Sequence, residues 1–215
     1  MTAGCRGLLC DLDGTLADSL PVLIGVYERF VTAHGGTPSS DEFERLNGVP
    51  IEQVVEMLSH AHGWSDRPEE LVDRYERAID ECYHEAPTRD GARELLTAAR
   101  RGGWRCAVVT SGRSGRARSW LRSHGLDDLV DTVVGSDDVR RGKPDPEPYL
   151  LALARMNADP ASSIAVEDSM PGVASALSAG LRTCFLADGM THESTGAIAV
   201  DGLWQVVDAL TDPSG

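Results

Sequence analysis

Short apolar runs alternate along this chain with segments of helical periodicity, and this alternation constrains the fold more than any other feature of the sequence. Each run is nearly continuous in apolar character, as expected of strands that are buried on both faces. The runs lie at Gly7 to Leu12, Arg105 to Thr110, Asp131 to Val134, Ser163 to Glu167, Thr183 to Leu186 and, more weakly, Ala197 to Val200. Helical segments separate most of them, which predicts a parallel sheet covered by helices, an α/β fold.

The alternation stops between Asp18 and Pro87, where the apolar residues have helical spacing instead. The breaks between the helices predicted in this segment lie at Gly35-Gly36, Gly48-Val49-Pro50 and Gly63. We therefore predict a core of residues 1–17 and 88–215 and an inserted α-helical cap of residues 18–87. A cap hinged at its two connections would close over a site and exclude water from it.

Composition and charge narrow the classes of partner. The 215 residues include 34 acidic and 20 basic side chains, and the net charge of -14 disfavours broad binding to nucleic acid or to an anionic membrane surface. No apolar run approaches the roughly 20 residues of a membrane span, and Asp11 breaks the N-terminal run where a signal peptide would stay apolar. Five cysteines without a C-x-x-C pair indicate reduced thiols. We expect a cytoplasmic protein that binds neither nucleic acid nor membrane; its oligomeric state is not predicted.

The first apolar run ends in two carboxylates, Asp11 and Asp13, followed by Gly14. Alternate residues of an extended strand share a face, so both carboxylates are expected on one side of the strand's carboxyl end. Two such charges repel by roughly 4 kcal/mol at about 4 Å in a medium of effective dielectric about 20. The pair therefore implies a cation, a bound proton or both, and Mg²⁺ is the cation that hard oxygen ligands suit.

Three further polar clusters follow predicted strands, and the carboxyl ends of parallel strands line one crevice. The clusters are Thr110-Ser111-Gly112, Gly142-Lys143-Pro144-Asp145-Pro146 and Glu167-Asp168-Ser169. A hydroxyl and backbone amides at a helix start suit phosphate oxygens. Lys143 is the one lysine of the chain, and its compact ammonium suits a cramped site between phosphate and carboxylates better than a guanidinium does.

Simpler interpretations exist for each of these features. Asp-Gly is a common turn pair, although the apolar strand directly before it argues against a surface turn. Glu167-Asp168-Ser169 and Thr110-Ser111-Gly112 also have the composition of helix caps. A compositional bias toward arginine explains most of the scarcity of lysine in this chain. Arg113 and Arg116, at the start of the next predicted helix, either reach a substrate or are solvated.

In this order the clusters resemble the haloacid dehalogenase-like superfamily of phosphohydrolases, in particular its branch with phosphoglycolate phosphatase and β-phosphoglucomutase. The resemblance covers nearly the whole chain. The residues that carry it are D-x-D-G-T from Asp11, Thr110, G-K-P-D-P from Gly142 and V-E-D-S-x-x-G from Val166. It implies a Rossmann-like parallel sheet core flanked by helices, with the cap inserted after the first strand, in agreement with the periodicity.

The resemblance also implies roles for the four acidic residues. Asp11 would be the nucleophile that attacks phosphorus to give an aspartyl-phosphate, and Asp13 would be the general acid and base. Mg²⁺ would be held by the Asp11 carboxylate, the Asp13 backbone carbonyl and Asp168. Glu167 would support the metal's shell directly or through water.

Five other residues are expected at the substrate. By resemblance, Thr110 and the Ser111 amide would bind phosphate oxygens, while Lys143 would neutralise the nucleophile and the transferring group. Arg45 and Asn47 precede a cap loop that contacts substrate in relatives, and either residue could instead be merely exposed.

Together these features predict a Mg²⁺-dependent phosphatase of a small phosphorylated metabolite, either a sugar phosphate or an organic acid phosphate such as phosphoglycolate. Three alternatives stay open. A phosphomutase would need a histidine and basic residues early in the cap, where Leu23 and the uncharged Asn47 stand. A haloacid dehalogenase would lack the second aspartate, present here as Asp13. A regulatory module would bind phosphate and metal without turnover. The substrate is not predicted, because specificity would reside in the cap.

Overall fold

A parallel sheet forms the centre of the computed structural model, which describes residues 5–46, 49–187 and 196–211. Its strands are β1 (Gly7–Cys10), β2 (Arg105–Val109), β3 (Thr132–Val134), β4 (Ile164–Glu167), β5 (Arg182–Leu186) and β6 (Ile198–Val200). Their order across the sheet is β3-β2-β1-β4-β5-β6, and every adjacent pair is parallel. This order is that of a Rossmann-like sheet and confirms the predicted α/β class.

Helices of the predicted insertion follow β1. They are α1 (Leu20–Ala33), α2 (Ser40–Leu46), α3 (Ile51–His62) and α4 (Pro68–Cys82), with a short 3-10 turn at Tyr83–Glu85. Local signals explain their limits. Gly63 ends α3 in the left-handed conformation with φ +68°, and Pro68 opens α4 with two glutamates in its first turn.

The core helices cover both faces of the sheet. They are α5 (Ala92–Arg101), α6 (Ser114–Ser123), α7 (Glu147–Met156), α8 (Met170–Ser178) and α9 (Leu203–Thr211). Leu9 packs in a cluster with Tyr149 of α7, whereas Leu8 and Cys10 belong to the cluster on the opposite face that continues into the cap. Every residue of β1 is buried, which explains why this strand is an unbroken apolar run.

The first strand ends at Cys10, two residues earlier than predicted. The Asp11 amide still donates to the Val166 carbonyl at 2.9 Å, but Leu12 already belongs to a turn in which Gly14 has φ +80°. Asp11 and Asp13 do line one cavity, as expected, but the prediction that strand alternation places them there was wrong. The turn, and not the strand pleat, brings both carboxylates to one cavity.

The two connections between sheet and insertion lie side by side. The Asp18 amide donates to the Pro87 carbonyl at 2.9 Å, and the Arg89 amide donates to the Leu16 carbonyl at 2.8 Å. These two hydrogen bonds lie near the predicted boundaries between core and cap, 17/18 and 87/88. The boundaries stay a prediction. Within the described ranges, no helix has both the length and the apolar character to cross a membrane.

The functional edge of the sheet follows from its connectivity. Cys10, at the end of the central strand, pairs with Val108 on one side and with Val166 on the other. The carboxyl ends of β1, β2 and β4 therefore lie side by side. The strand order reverses at β1, because β2 and β3 lie on one side of it and β4, β5 and β6 lie on the other. In open parallel sheets the ligand crevice lies at such a point.

Candidate active site

Lys143 lies at the centre of the site and is only 4% exposed. Its ammonium donates to Asp11 Oδ1 at 2.6 Å, to Glu167 Oε1 at 2.5 Å and to the Val109 carbonyl at 3.0 Å. These bonds use all three donors of the ammonium. The Lys143 ammonium thus connects Asp11, which follows β1, with Val109 and Glu167, the last residues of β2 and β4.

Glu167 is fully buried, and polar groups contact both of its carboxylate oxygens. Oε1 accepts from Lys143 and from the Tyr149 hydroxyl at 2.7 Å. Oε2 accepts from the Ser169 hydroxyl at 3.0 Å and from the Ser169 amide at 3.4 Å. These four bonds account for the usual acceptor capacity of a carboxylate. Glu167 therefore holds Lys143 in place.

Asp13 receives hydrogen bonds from both connections of the cap. The Ser19 hydroxyl, just before α1, donates to Oδ1 at 2.7 Å, and the Tyr83 hydroxyl, just after α4, donates to the same oxygen at 2.6 Å. Thr110 donates to Oδ2 at 3.4 Å. Burial and then Asp13 raise the pKa of Tyr83 well above its ordinary value, so the phenol keeps its proton and donates.

The site holds more negative charge than its lysine can balance. Burial raises the pKa of Asp11 well above its ordinary value, and neighbouring carboxylates add to this although Lys143 opposes it. Burial, followed by Glu167, raises the pKa of Asp168 to about 7. Burial lowers the pKa of Lys143, but Asp11 and Glu167 outweigh that effect and raise it above its usual range. A further cation would stabilise this cluster in its ionised form.

A metal ion fits the donor set. Carboxylate oxygens of Asp11, Glu167 and Asp168 lie within 4.8 Å of one another. Hard oxygen donors of this kind suit Mg²⁺, and the unbalanced negative charge favours a divalent cation there. Glu167 already accepts from Lys143, Tyr149 and Ser169. Asp11 and Asp168 are therefore the better candidates for direct ligands.

Two glycines of the motifs are required by the close approach of these acids. A Cβ on Gly14 would lie 2.0 Å from Asp168 Oδ2, in addition to the strain of its positive φ. A Cβ on Gly172 would lie 2.0 Å from the carboxylate atoms of Glu167. Only a residue without a side chain leaves room for the carboxylates at both positions.

The predicted phosphate-binding residues lie beside this cluster. Thr110 is 4% exposed, and its hydroxyl accepts from the Gly112 amide at 2.9 Å. Ser111 lines the cavity that contains Asp11 and Asp13. The hydroxyl and the start of α6 are therefore placed where a phosphate oxygen could bind.

The predicted cap residues are placed differently. Arg45 is exposed and lines a surface hollow with Met57 and His60, and none of the acidic cluster lines that hollow. Asn47 lies outside the described residues. Their assignment to the substrate stays a prediction.

Arg113 and Arg116 join the core to the cap. Arg113 Nε lies 3.1 Å from Glu76, and Arg116 contacts Glu76 and also Asp80, the latter at 2.6 Å. Glu76 is buried in α4, so these ion pairs connect α6 to the last cap helix. Both arginines thus pair with cap carboxylates, while Arg113 is also about half exposed; a role of either at the substrate stays a prediction.

Comparison with known proteins places the chain in a family. Residues 8–186 match the family described as haloacid dehalogenase-like hydrolase. Phosphorylated carbohydrates phosphatase of Thermotoga maritima is 31% identical over 216 residues, which covers 96% of this chain and 99% of that protein. The chain belongs to the haloacid dehalogenase-like hydrolases.

Other relatives are consistent with this membership. Phosphoglycolate phosphatase of Cereibacter sphaeroides is 31% identical over 217 residues, covering 96% of each chain. The crystal structure of CbbY from Rhodobacter sphaeroides in complex with phosphate has a TM-score of 0.80 at 25% identity, covering 94% of this chain and 96% of that chain. The predicted enzyme class, a phosphoric monoester hydrolase, is confirmed.

Sequence reasoning missed several residues of this hydrolase's site. Ser19 and Tyr83 contact Asp13, and Tyr149 contacts Glu167, but none of the three stands in the motifs. A serine before a helix suggests only a cap, and a tyrosine in an apolar stripe suggests only a core position. Their proximity to Asp13 and Glu167 arises from the packing of separate elements.

Replacement of Tyr83 by phenylalanine tests the positioning of Asp13. We expect kcat to fall about tenfold with little change in KM, because a hydrogen bond to a charged group contributes about 1.5–3 kcal/mol and Ser19 retains part of the restraint. Tyr27→Phe is the matched control, because the Tyr27 hydroxyl likewise donates to a carboxylate, at 2.5 Å, but that carboxylate belongs to Glu42 of the cap and not to Asp13. Equal losses of kcat in the two variants would assign Tyr83 a role in cap stability alone.

Proposed function

We propose that this chain is a Mg²⁺-dependent phosphatase that hydrolyses a small phosphorylated metabolite through an aspartyl-phosphate intermediate. The observation that carries the proposal is the buried cluster in which Lys143 contacts Asp11 at 2.6 Å, and in which Asp11 and Asp13 line one cavity. Its relatives include a phosphorylated carbohydrates phosphatase and a phosphoglycolate phosphatase, which supports a substrate of small size.

Asp11 is the proposed nucleophile. It follows the central strand, is 6% exposed, and its Oδ1 is held by Lys143. The ammonium favours the ionised form of the carboxylate, against the effect of burial, and fixes its orientation, so the other oxygen can attack phosphorus. The bond from phosphorus to the ester oxygen breaks as the bond to Asp11 forms.

Asp13 is the proposed general acid and base. Its Oδ1 is held by Ser19 and Tyr83, which leaves Oδ2, with only the long bond to Thr110, to move the proton. Asp13 would protonate the leaving ester oxygen and then take a proton from the water that attacks phosphorus of the aspartyl-phosphate. That second attack releases inorganic phosphate and restores Asp11.

Mg²⁺ is the proposed cofactor, and Asp11 and Asp168 would hold it. Glu167 would support the site by holding Lys143 in place. When bound, the ion would offset the negative charge of the transferring group and its carboxylate neighbours. The Asp13 backbone carbonyl, expected by resemblance as a further ligand, stays part of the proposal. Thr110 and Ser111 would bind phosphate oxygens.

The alternatives receive less support. Among the described residues that line the cavity around Asp13, Arg116 is the only basic one, and Glu76 and Asp80 pair with it. A bisphosphate of a phosphomutase would therefore find no free cation on that wall. Asp13 itself argues against a dehalogenase. A regulatory module without turnover is distinguished by the assay below.

Phosphate release from 4-nitrophenyl phosphate tests the proposal. We expect turnover with Mg²⁺ and a loss on the order of 10²-fold or more in excess chelator, because a metal contributes several kcal/mol of transition-state stabilisation. Activity should return when Mg²⁺ is added in excess of the chelator. Full turnover in chelator would contradict the metal requirement, and absence of turnover in both conditions would favour the regulatory module.

A cytoplasmic location and the absence of nucleic-acid partners also stay predictions. The net charge of -14 supports the absence of nucleic-acid partners.

A further inference from the structure

Two cavities adjoin the acidic cluster, and they differ in which catalytic residues they contain. One has a volume of about 100 Å³ and is lined by Asp11, Asp13 and Asp168. The other has a volume of about 830 Å³ and is lined by Thr110 and Lys143 but by neither Asp11 nor Asp13. We therefore place a leaving group that Asp13 protonates in the smaller cavity, which Asp13 lines.

The cap wall of the smaller cavity is apolar. Its lining side chains from the cap include Leu23, Phe43, Leu46, Val49, Ile51, Val54 and Ile79. Leu23, Phe43, Val49 and Ile51 are only half-buried, so they keep apolar surface that is not used in packing the cap itself. A ligand in this cavity would cover that surface.

Polar groups on the same wall are few. Among the described cap residues that line the cavity, only Tyr75 and Tyr83 carry a polar side-chain atom, and the Tyr83 hydroxyl already donates to Asp13. Arg116 lines the cavity from the core and is paired with Glu76 and Asp80. Within the part of the chain that the structure describes, the cap presents no charged side chain to the leaving group.

These walls discriminate between kinds of alcohol. Hydroxyl groups of a sugar or polyol would lose their hydrogen bonds to water and find at most a few replacements, which disfavours their burial. A carboxylate beside three acidic residues would be repelled as well. Alkyl or aryl carbons would gain from leaving water. The small volume further favours a compact group.

From this we infer that the hydrolase prefers monophosphate esters whose alcohol is small and largely apolar. The inference rests on the proposed function, in which Asp13 protonates the leaving oxygen. It departs from the substrates for which the relatives are named, because the described cap residues of the cavity wall offer mainly carbon where a carbohydrate needs hydrogen-bond partners.

Matched pairs of substrates test the inference with the purified full chain and Mg²⁺. Propyl phosphate is compared with glycerol 3-phosphate, and cyclohexyl phosphate with myo-inositol 1-phosphate, with 4-nitrophenyl phosphate as the general reporter of turnover. Within each pair the carbon skeleton is the same and only the hydroxyls differ. We expect kcat/KM to be at least about tenfold higher for the apolar ester of each pair, a ratio within the range that an apolar pocket achieves.

Two adjacent residues of α1 provide matched variants. Leu23 lines the cavity, whereas Ile24 is 37% exposed and does not line it. Leu23→Asn should reduce the preference for propyl over glycerol phosphate by at least about threefold, because a polar group then faces the leaving alcohol. Ile24→Asn should keep the wild-type preference.

The outcomes separate the inference from the proposed function. A preference for the apolar esters that Leu23→Asn weakens and Ile24→Asn preserves supports the inference. Equal or higher kcat/KM for the hydroxylated esters, with 4-nitrophenyl phosphate still hydrolysed, overturns the inference and leaves the phosphatase intact. Absence of phosphate release from every ester overturns the phosphatase proposal and the inference with it.

Discussion

Asp11→Asn is expected to reduce phosphate release by at least about 10⁴-fold while the protein stays folded. An amide cannot attack phosphorus, and loss of a nucleophile costs about 10⁴- to 10⁶-fold in enzymes where it has been removed. The amide has nearly the shape of the carboxylate, so the contact with Lys143 persists as a neutral acceptor. Single-turnover assays and thermal unfolding would measure the two effects separately.

The intermediate gives this prediction a second readout. Wild-type protein quenched in acid during turnover should carry phosphate that hydroxylamine releases, as an acyl phosphate does, and Asp11→Asn should carry none. Asp128→Asn is the control, because Asp128 is exposed on the core. Near-normal turnover of Asp11→Asn, or labile phosphate on that variant, would assign the nucleophile to another residue.

Lys143→Met is expected to have the largest effect on stability. The ammonium lies between Asp11 and Glu167, and their side chains are almost fully buried. Removal of one partner from a buried ion pair costs about 3–5 kcal/mol, because the remaining charge stays buried without compensation. Urea unfolding should show this loss in the free energy of unfolding, and turnover should fall with it.

Lys143→Arg separates charge from shape. The charge is kept, but a planar guanidinium must replace a compact ammonium whose three donors already reach Asp11, Glu167 and the Val109 carbonyl. We expect this variant to lose less stability than Lys143→Met and to lose at least roughly tenfold in kcat/KM, about 1.4 kcal/mol.

A surface ion pair provides the control for Lys143. Arg105 is about half exposed and contacts Asp131 at 2.7 Å, so Arg105→Met should change the free energy of unfolding by about 0–1 kcal/mol. Unchanged kinetics of Lys143→Arg would show that the shape of the cation is irrelevant. A stability of Lys143→Met equal to that of Arg105→Met would show that the buried carboxylates do not need their cation.

The strands and helices of the core could be predicted from the sequence because each has a strong local pattern. Strands buried on both faces are apolar runs, and amphipathic helices between them have a period of 3.6 residues. The cap breaks were visible for the same reason, since glycine ends helices, as Gly63 does with φ +68°. Predicted limits differed by one or two residues, most consequentially at Leu12, where the chain turns at the active site instead of continuing the strand.

The site could be predicted only in part. Asp11, Lys143 and Glu167 follow or end strands whose carboxyl ends meet, and the structure brings them together around one ammonium. Tyr83 and Tyr149 have the appearance of core residues in the sequence, and nothing local indicates that their hydroxyls reach Asp13 and Glu167. The roles of the carboxylates stay predictions until the variants are measured.

By itself, the sequence determined the α/β core, the helical insertion after the first strand and the four polar clusters at one edge of the sheet. Only the tertiary structure decided that Tyr83 and Ser19 hold one oxygen of Asp13, and that Leu23 and Ile51 line the same cavity as Asp13. The reason is physical. Periodicity and turn chemistry act over a few residues, whereas contacts between α1, α4 and the sheet depend on how the cap packs across the site.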